Sequence, residues 1–461
     1  MFNNPKSHAL DGIKHLITSD AAKESAAEVR VKAWNLVATG LKSTTKKYST
    51  FLEYIFEDGE ILRSASTFVV ELFTSRCHEG YRKCATRTMT DLFLSLTEVQ
   101  DRRERFGSMF HEPRPLDTYN PVGSLLFALS MSSECLPPYE SRETRENLVT
   151  ALQHLSLVTE LRSFFAVPLE NNVKGDALSA VVVLMAVTKS CETDTETTRE
   201  AALACLINAT VSSSESEDST GVKAAICSCG GVGILMDIIT SKNGDVYPHS
   251  LSLHASALLA CLVSIPIGKQ IIGGVSNGVQ LGSRFVEIIL NNGHCQRSEV
   301  KSNLDGRVAS NIIRVLADLK PPPTVDRYFE ALLQSLPEPK KDGRGFVTTQ
   351  SVCLPPDQPT KFAAVHFAAA SQTFHCNVLR ALISYFDSCP QEGNPTLYTT
   401  LTERLVSLLA NHSSFHPVVK KNAAAVLARI MKSSKLEMAK VRCRELRGME
   451  ILMDLNRNVL I

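Results

Sequence analysis

The residues best able to do chemistry in this 461-residue chain are scattered. Cys227-Ser-Cys229 sets two thiols two residues apart, Cys77-His78 sets a thiol beside an imidazole, and His249 and His254 lie five apart. A structural zinc takes four such ligands, usually as two close pairs. None of these has a second pair nearby, so no metal site is predicted. His366 and Cys376 are ten apart in one helical run and do not share a face closely enough to form a catalytic pair. Gly268-Lys269 has the ending of a phosphate loop. Val263 stands where the leading glycine belongs, however, and Gln270 where Ser or Thr is needed. Gly274-Val-Ser276-Asn-Gly278 spells a nucleophile elbow, which requires a strand before the serine and a helix after it. No strand precedes it. The sequence predicts no catalytic residue, no cofactor and no small-molecule substrate.

Charge is equally uncommitted. The formal net charge is +1, so no global field steers the chain toward nucleic acid or an anionic membrane. Basic clusters occur at Lys46-Lys47, Arg102 to Arg105, Lys420-Lys421 and Lys440 to Arg447. The last places Lys440, Arg444 and Arg447 near one helical face. It reads first as solvated surface and second as a dock for an acidic partner. No aromatic residues interleave these charges, which argues against nucleic acid. Ser212 to Thr220 is acidic and serine-rich, a solvated loop and a candidate for acid-directed phosphorylation.

The first 20 residues lack the apolar stretch of a secretory signal, and the longest apolar run, Ala180 to Val187, is too short to span a bilayer. Thirteen cysteines, several inside apolar helical runs, suit a reducing compartment. The expected setting is cytoplasmic, with the nucleus as the alternative.

These residues must be positioned by helices. Aromatics are only 6% of the chain and Trp34 is the single tryptophan, so the core must come from Ala, Leu, Val and Ile on closely packed helices. Apolar sextets of one pattern recur: a small or polar residue, two apolar, two of any kind, one apolar. They are Asn147–Leu152, Ala201–Leu206, Ala257–Leu262, Asn311–Leu316, Asn377–Leu382 and Ala425–Ile430, starting 54, 56, 54, 66 and 48 residues apart. Near-even spacing marks a repeated supersecondary unit. Gly231-Val-Gly-Ile-Leu-Met-Asp237 is echoed by Gly448-Met-Glu-Ile-Leu-Met-Asp454. In each a short helix stops at glycine and another starts at a steep angle.

Four regions follow: a helical region over 1–140, regular repeats over 141–336, a Pro/Gly-rich loop over 337–361 and further repeats over 362–461. Ser141 is read as a helix N-cap, and Gly273 to Gly278 as a turn between repeats. The stretch Asn291–Leu304 is read as a loop insertion.

The order of short helix, glycine turn and two longer helices resembles the armadillo/HEAT repeat superfamily over 141–320 and 397–456. The resemblance implies an all-α, right-handed α-solenoid of about six to nine irregular repeats, with stacking between units supplying the core. It also implies a non-enzymatic scaffold or adaptor that binds a protein along its concave face. Some such solenoids act as exchange factors or chaperones of G proteins, and others are structural parts of cytoskeletal or ciliary assemblies, so both remain alternatives. Importin-α-like members carry an asparagine seven residues after the sextet start. Here those positions hold His154, Asn208, Ser264, Asp318, Ser384 and Lys432. Only Asn208 matches, which argues against a nuclear-import receptor and leaves a mixed polar groove for a protein partner.

Overall fold

The computed structural model describes residues 12–17, 24–42, 56, 59–74, 79–109, 121–136, 138–166, 169–170, 177–211, 217–240, 249–276, 285–290, 300–319, 327–337, 339–341, 347–349, 361–388, 394–410 and 416–459. The chain forms two compact units, Met1–Ile234 and Leu235–Ile461.

In the first unit the helices are α1 (Glu24–Lys42), α2 (Gly59–Thr74), α3 (Glu79–Thr97), α4 (Gln100–Ser108), α5 (Pro121–Cys135), α6 (Pro138–Ser156), α7 (Ser163–Ala166), α8 (Ala180–Lys189), α9 (Glu196–Thr210) and α10 (Glu217–Ser228). The boundary between units falls inside α11 (Gly231–Thr240). The second unit continues with α12 (His249–Leu262), α13 (Pro266–Ser276), α14 (Val300–Asp318), α15 (Tyr328–Gln334), α16 (Lys361–Ser388), α17 (Pro395–Ala410), α18 (Pro417–Lys432), α19 (Glu437–Glu445) and α20 (Gly448–Val459). Each unit is a stack of packed α-helices.

All six sextets lie on long helices: α6, α9, α12, α14, α16 and α18. These pack side by side, α1 on α3, α3 on α6 and α6 on α9 in the first unit, and α12 on α14, α14 on α16 and α16 on α18 in the second. A helix flanked by one like it on either side needs a broad apolar arc, which explains two adjacent apolar slots rather than one stripe. Leu148, Val149 and Leu152 are buried, as are Leu203, Leu206, Ile312, Ile313, Leu316, Val378, Leu379, Leu382, Val426, Leu427 and Ile430. Behind this ladder, α2, α5 and α8 form the second layer of the first unit. The ladder runs without a break from α3 to α6, across the position where the sequence suggested a regional boundary.

Two buried arginines tie the layers together at the same place in successive repeats. Arg145 and Arg199 each stand two residues before a sextet. Arg145 donates to the Leu129 carbonyl near the end of α5 at 3.0 Å, and Arg199 donates to the Thr188 carbonyl near the end of α8 at 2.9 Å. A cation there meets the negative end of the helix dipole. Arg145 also holds Asp194 in a two-pronged buried ion pair at 2.7 and 2.8 Å.

Several local expectations are corrected. Ser141 lies inside α6, which starts at Pro138 because proline suits the first helical turn. Residues 217–220, read as the end of a loop, open α10. Residues 212–216 fall outside the described residues. Helix α13 runs through Gly273 and Gly274 to Ser276, so the start of the expected turn is helical. The expected insertion 291–304 is already helical from Val300. Within 337–361, Pro339–Lys341 pairs antiparallel with Val347–Thr349, so this stretch contains a small hairpin.

The echoed glycine motifs share one geometry. Helix α10 from Thr220 and α11 meet at 76°. A side chain on Gly231 would collide with Ile226, and one on Gly448 with Cys443. The residue before each glycine takes the left-handed conformation: Gly230 at φ 77° and Arg447 at φ 58°.

Candidate partner-binding surface

Cys77, His78 and Gly278, and the side chains of His249, His366 and Ser276, lie outside the described residues; the other chemistry candidates pack into the fold. Burial raises the thiol pKa of Cys227 and Cys229, with the neighbouring Cys229 adding to the rise at Cys227. It pushes Cys205 up to about 12 and also raises Cys376. These are thiols rather than thiolates at neutral pH. Gly274 and Ser276 sit on a helix rather than at a strand end, so the elbow motif has no nucleophile geometry. Gly268 is packed against the end of α12, where a side chain would strike the Leu262 carbonyl. The described residues contain no cluster of three metal-ligating side chains. No described single helix is long and apolar enough to cross a membrane.

The groove positions lie toward the C-terminal ends of the ladder helices, and most are engaged with neighbours. His154 is half-buried, its Nδ1 3.2 Å from Thr97 Oγ1 on α3. Burial holds its pKa below the ordinary value, Arg103 adds to the effect and Glu98 works against it. Asn208 donates to Ser156 Oγ on α6 at 3.0 Å. These are equivalent contacts, each reaching from one ladder helix to the last residue of the helix before it. The asparagine that matched the peptide-gripping pattern therefore spends its amide within the stack. Ser264 is exposed and donates to the Cys261 carbonyl. Asp318 pairs with Arg380 on the next ladder helix at 2.8 Å. Ser384 is only 6% exposed and presents no surface to a partner. Lys432 is exposed at the end of α18.

The C-terminal basic cluster is partly paired. Lys440 holds Glu437 at 2.7 Å, and Arg447 holds Glu450. Arg444 is exposed.

What the sequence missed is a row of exposed aliphatic side chains just beyond the ladder helices. Val99 follows α3 and is 45% exposed; Leu157 follows α6 at 45%; Val211 follows α9 at 50%. Arginines fix this rim. Arg103 donates to the Thr97 carbonyl at 3.2 Å, and six residues past the end of α6 Arg162 donates to the Ser156 carbonyl at 3.1 Å. Arg162 also reaches the Val211 carbonyl at 2.6 Å. Leu157 and Val211 both fall ten residues after their sextet starts. So does Ile267 in the second unit, which is exposed as well. That count was available in the sequence, but an aliphatic residue after a helix reads equally well as core.

No family model matches this chain, and no curated protein matches it. Among solved structures, the crystal complex of SYS-1/POP-1 is similar over 93% of this chain and 82% of that one, with 12% identity and a TM-score of 0.49. The karyopherin Kap121p, in a crystal structure bound to the SUMO protease Ulp1p, is similar over 98% of this chain and 51% of that one, with 12% identity and a TM-score of 0.31. This chain spans about half the length of that karyopherin.

Proposed function

We propose that this chain is a non-catalytic scaffold that holds a protein partner across the ladder of the first unit. The observation that carries this reading is the row Leu157 and Val211, each exposed in the first position past its ladder helix, continued by Val99, exposed two residues past α3. Scattered exposed aliphatics are ordinary, but a row repeated with the fold makes an ordered apolar surface. Neighbouring packed helices are about 8–10 Å apart. A partner in the polyproline II conformation has three residues per turn and rises about 3.1 Å per residue, so its side chains three residues apart share a face and would meet successive members of the row. His154 and Asn208, one turn earlier on α6 and α9, supply polar edges. In the second unit, Ser264, Asp318, Lys432, Lys440, Arg444 and Arg447 are proposed as a separate set of partner contacts.

Crosslinking mass spectrometry on the full chain, purified with its bound partner, tests this. Crosslinks from Lys or acidic residues beside the row, such as Glu98, Asp101 and Glu160, to the partner are expected. Crosslinks confined to surfaces away from α3, α6 and α9 would overturn it.

A further inference from the structure

Charge is unevenly placed on the ladder of the second unit. The whole chain has a formal net charge of +1, yet the described side chains of α14, α16 and α18 include seven basic groups and two acidic ones. Arg307 and Lys421 stand four residues before their sextets, Arg314 and Arg380 three after the start, Arg429 four after and Lys432 seven after. Offsets of about one turn put them on one face of each helix. Arg307, Arg314, Lys421 and Lys432 are exposed, and the side chains of Arg380 and Arg429 are 48% and 32% exposed. The two acids lie on the same strip. Asp318 accepts from Arg380 at 2.8 Å and Asp387 from Arg429 at 2.7 and 2.9 Å, each across the seam to the next ladder helix. Arg307, Arg314, Lys421 and Lys432 have no carboxylate beside them among the described residues. Repeat packing does not demand these cations. The same offsets on α6 and α9 hold Glu143 and Thr197 before the sextet, and Thr150 and Ala204 three after its start.

We infer that this strip binds an acidic, extended segment of a partner protein. The inference rests on the reading of the chain as a protein-binding scaffold, but it uses the second unit and a chemistry different from that of the aliphatic row. Helix α14 packs on α16 and α16 on α18, with neighbours about 8–10 Å apart, so one run of carboxylates can reach all three. Exposed guanidinium groups offer paired N–H donors that match a carboxylate. Two features favour a peptide over a nucleic acid. The strip positions hold no aromatic side chain on which bases could stack. Asp318 and Asp387 also interrupt the cations, where an evenly charged phosphate backbone would be repelled and a peptide can place a neutral residue.

Fluorescence anisotropy of the full chain with a fluorescein-labelled run of about ten glutamates tests this, since such a peptide extends about 33 Å and crosses all three helices. Binding is expected, weakening as salt rises from about 0.05 to 0.3 M. Arg314→Glu/Lys421→Glu should lower the affinity about tenfold or more. Lys32→Glu/Lys269→Glu makes the same change of charge at exposed positions on α1 and α13 and should leave the affinity near that of the wild type. Leu157→Glu/Val211→Glu should also bind the peptide as the wild type does, so a failure of the reading at the aliphatic row is distinguishable from a failure here. Absence of binding overturns the inference, as does an equal loss in the two charge-reversed proteins. So does a labelled oligouridine of the same length that binds more tightly than the glutamate peptide.

Discussion

The side-chain amide of Asn377 lies 3.1 Å from Ser310 Oγ, linking α16 to α14. Asn311, the residue after Ser310, makes the same bond back to Ser256 on α12 at 3.0 Å. Both asparagines open a sextet, and both serines immediately precede one. Along an apolar ladder that could slide by a turn, such a bond fixes the register, since slippage would strand a buried polar group. Asn377→Ala and Ser310→Ala should each cost about 1–3 kcal/mol, and the double variant should cost less than their sum by about 1 kcal/mol. Urea unfolding of the four proteins, followed by circular dichroism, measures that coupling. Strict additivity would remove the bond from the account.

The Arg145–Asp194 pair locks α6 to the turn before α9 in the first unit. Removing one member strands a buried charge, so Asp194→Ala should cost about 3–5 kcal/mol. Trp34, the sole tryptophan, is fully buried on α1 of the same unit, so its fluorescence reports the unfolding. An unchanged midpoint would mean that the pair is solvated rather than buried.

The ladder was legible in the sequence because its helices pack in one repeated way, α6 on α9 in the first unit and α12 on α14, α14 on α16 and α16 on α18 in the second, which repeats the same apolar pattern. The glycine turns were legible because a close helix approach excludes any side chain at Gly231 and Gly448. The proposed partner surface was much less so. A polar residue near a helix end looks the same whether it faces a partner or the neighbouring helix, and at Asn208 the neighbour has it. Likewise Val99, Leu157 and Val211 have the residue type of a core, and only burial separates them from one. Ser384 is the converse, a polar residue that the stack encloses.

Gly230 and Arg447 occupy the same left-handed turn, which L side chains adopt at a cost of about 1–2 kcal/mol. Gly230→Ala should lower stability by about 1 kcal/mol. Arg447→Gly should leave it level or raise it by a few tenths of a kcal/mol, because relieved strain exceeds the added freedom of the unfolded glycine and the loss of an exposed ion pair. Thermal melts of both variants decide this, and a loss of stability in Arg447→Gly would show that the arginine side chain matters more than its backbone.

His375, buried on α16, has its pKa lowered by desolvation from 6.5 to about 4. The unfolded chain therefore takes up a proton between these values that the folded one refuses. Stability is full above about pH 6.5 and falls as the pH drops toward 4, by up to about 3 kcal/mol from this group. Calorimetry from pH 7.5 to 4.5 should show a steeper loss for the wild type than for His375→Gln. Parallel curves would contradict the assignment.

The central claim is that a partner lies across α3, α6 and α9. Quantitative affinity purification of the wild type and of Leu157→Glu/Val211→Glu, matched for expression and for melting temperature, tests it most directly. The account predicts that recovery of the principal partner falls at least tenfold, as about 1.4 kcal/mol or more of apolar contact is replaced by buried charge. Equal recovery from the two proteins would contradict it.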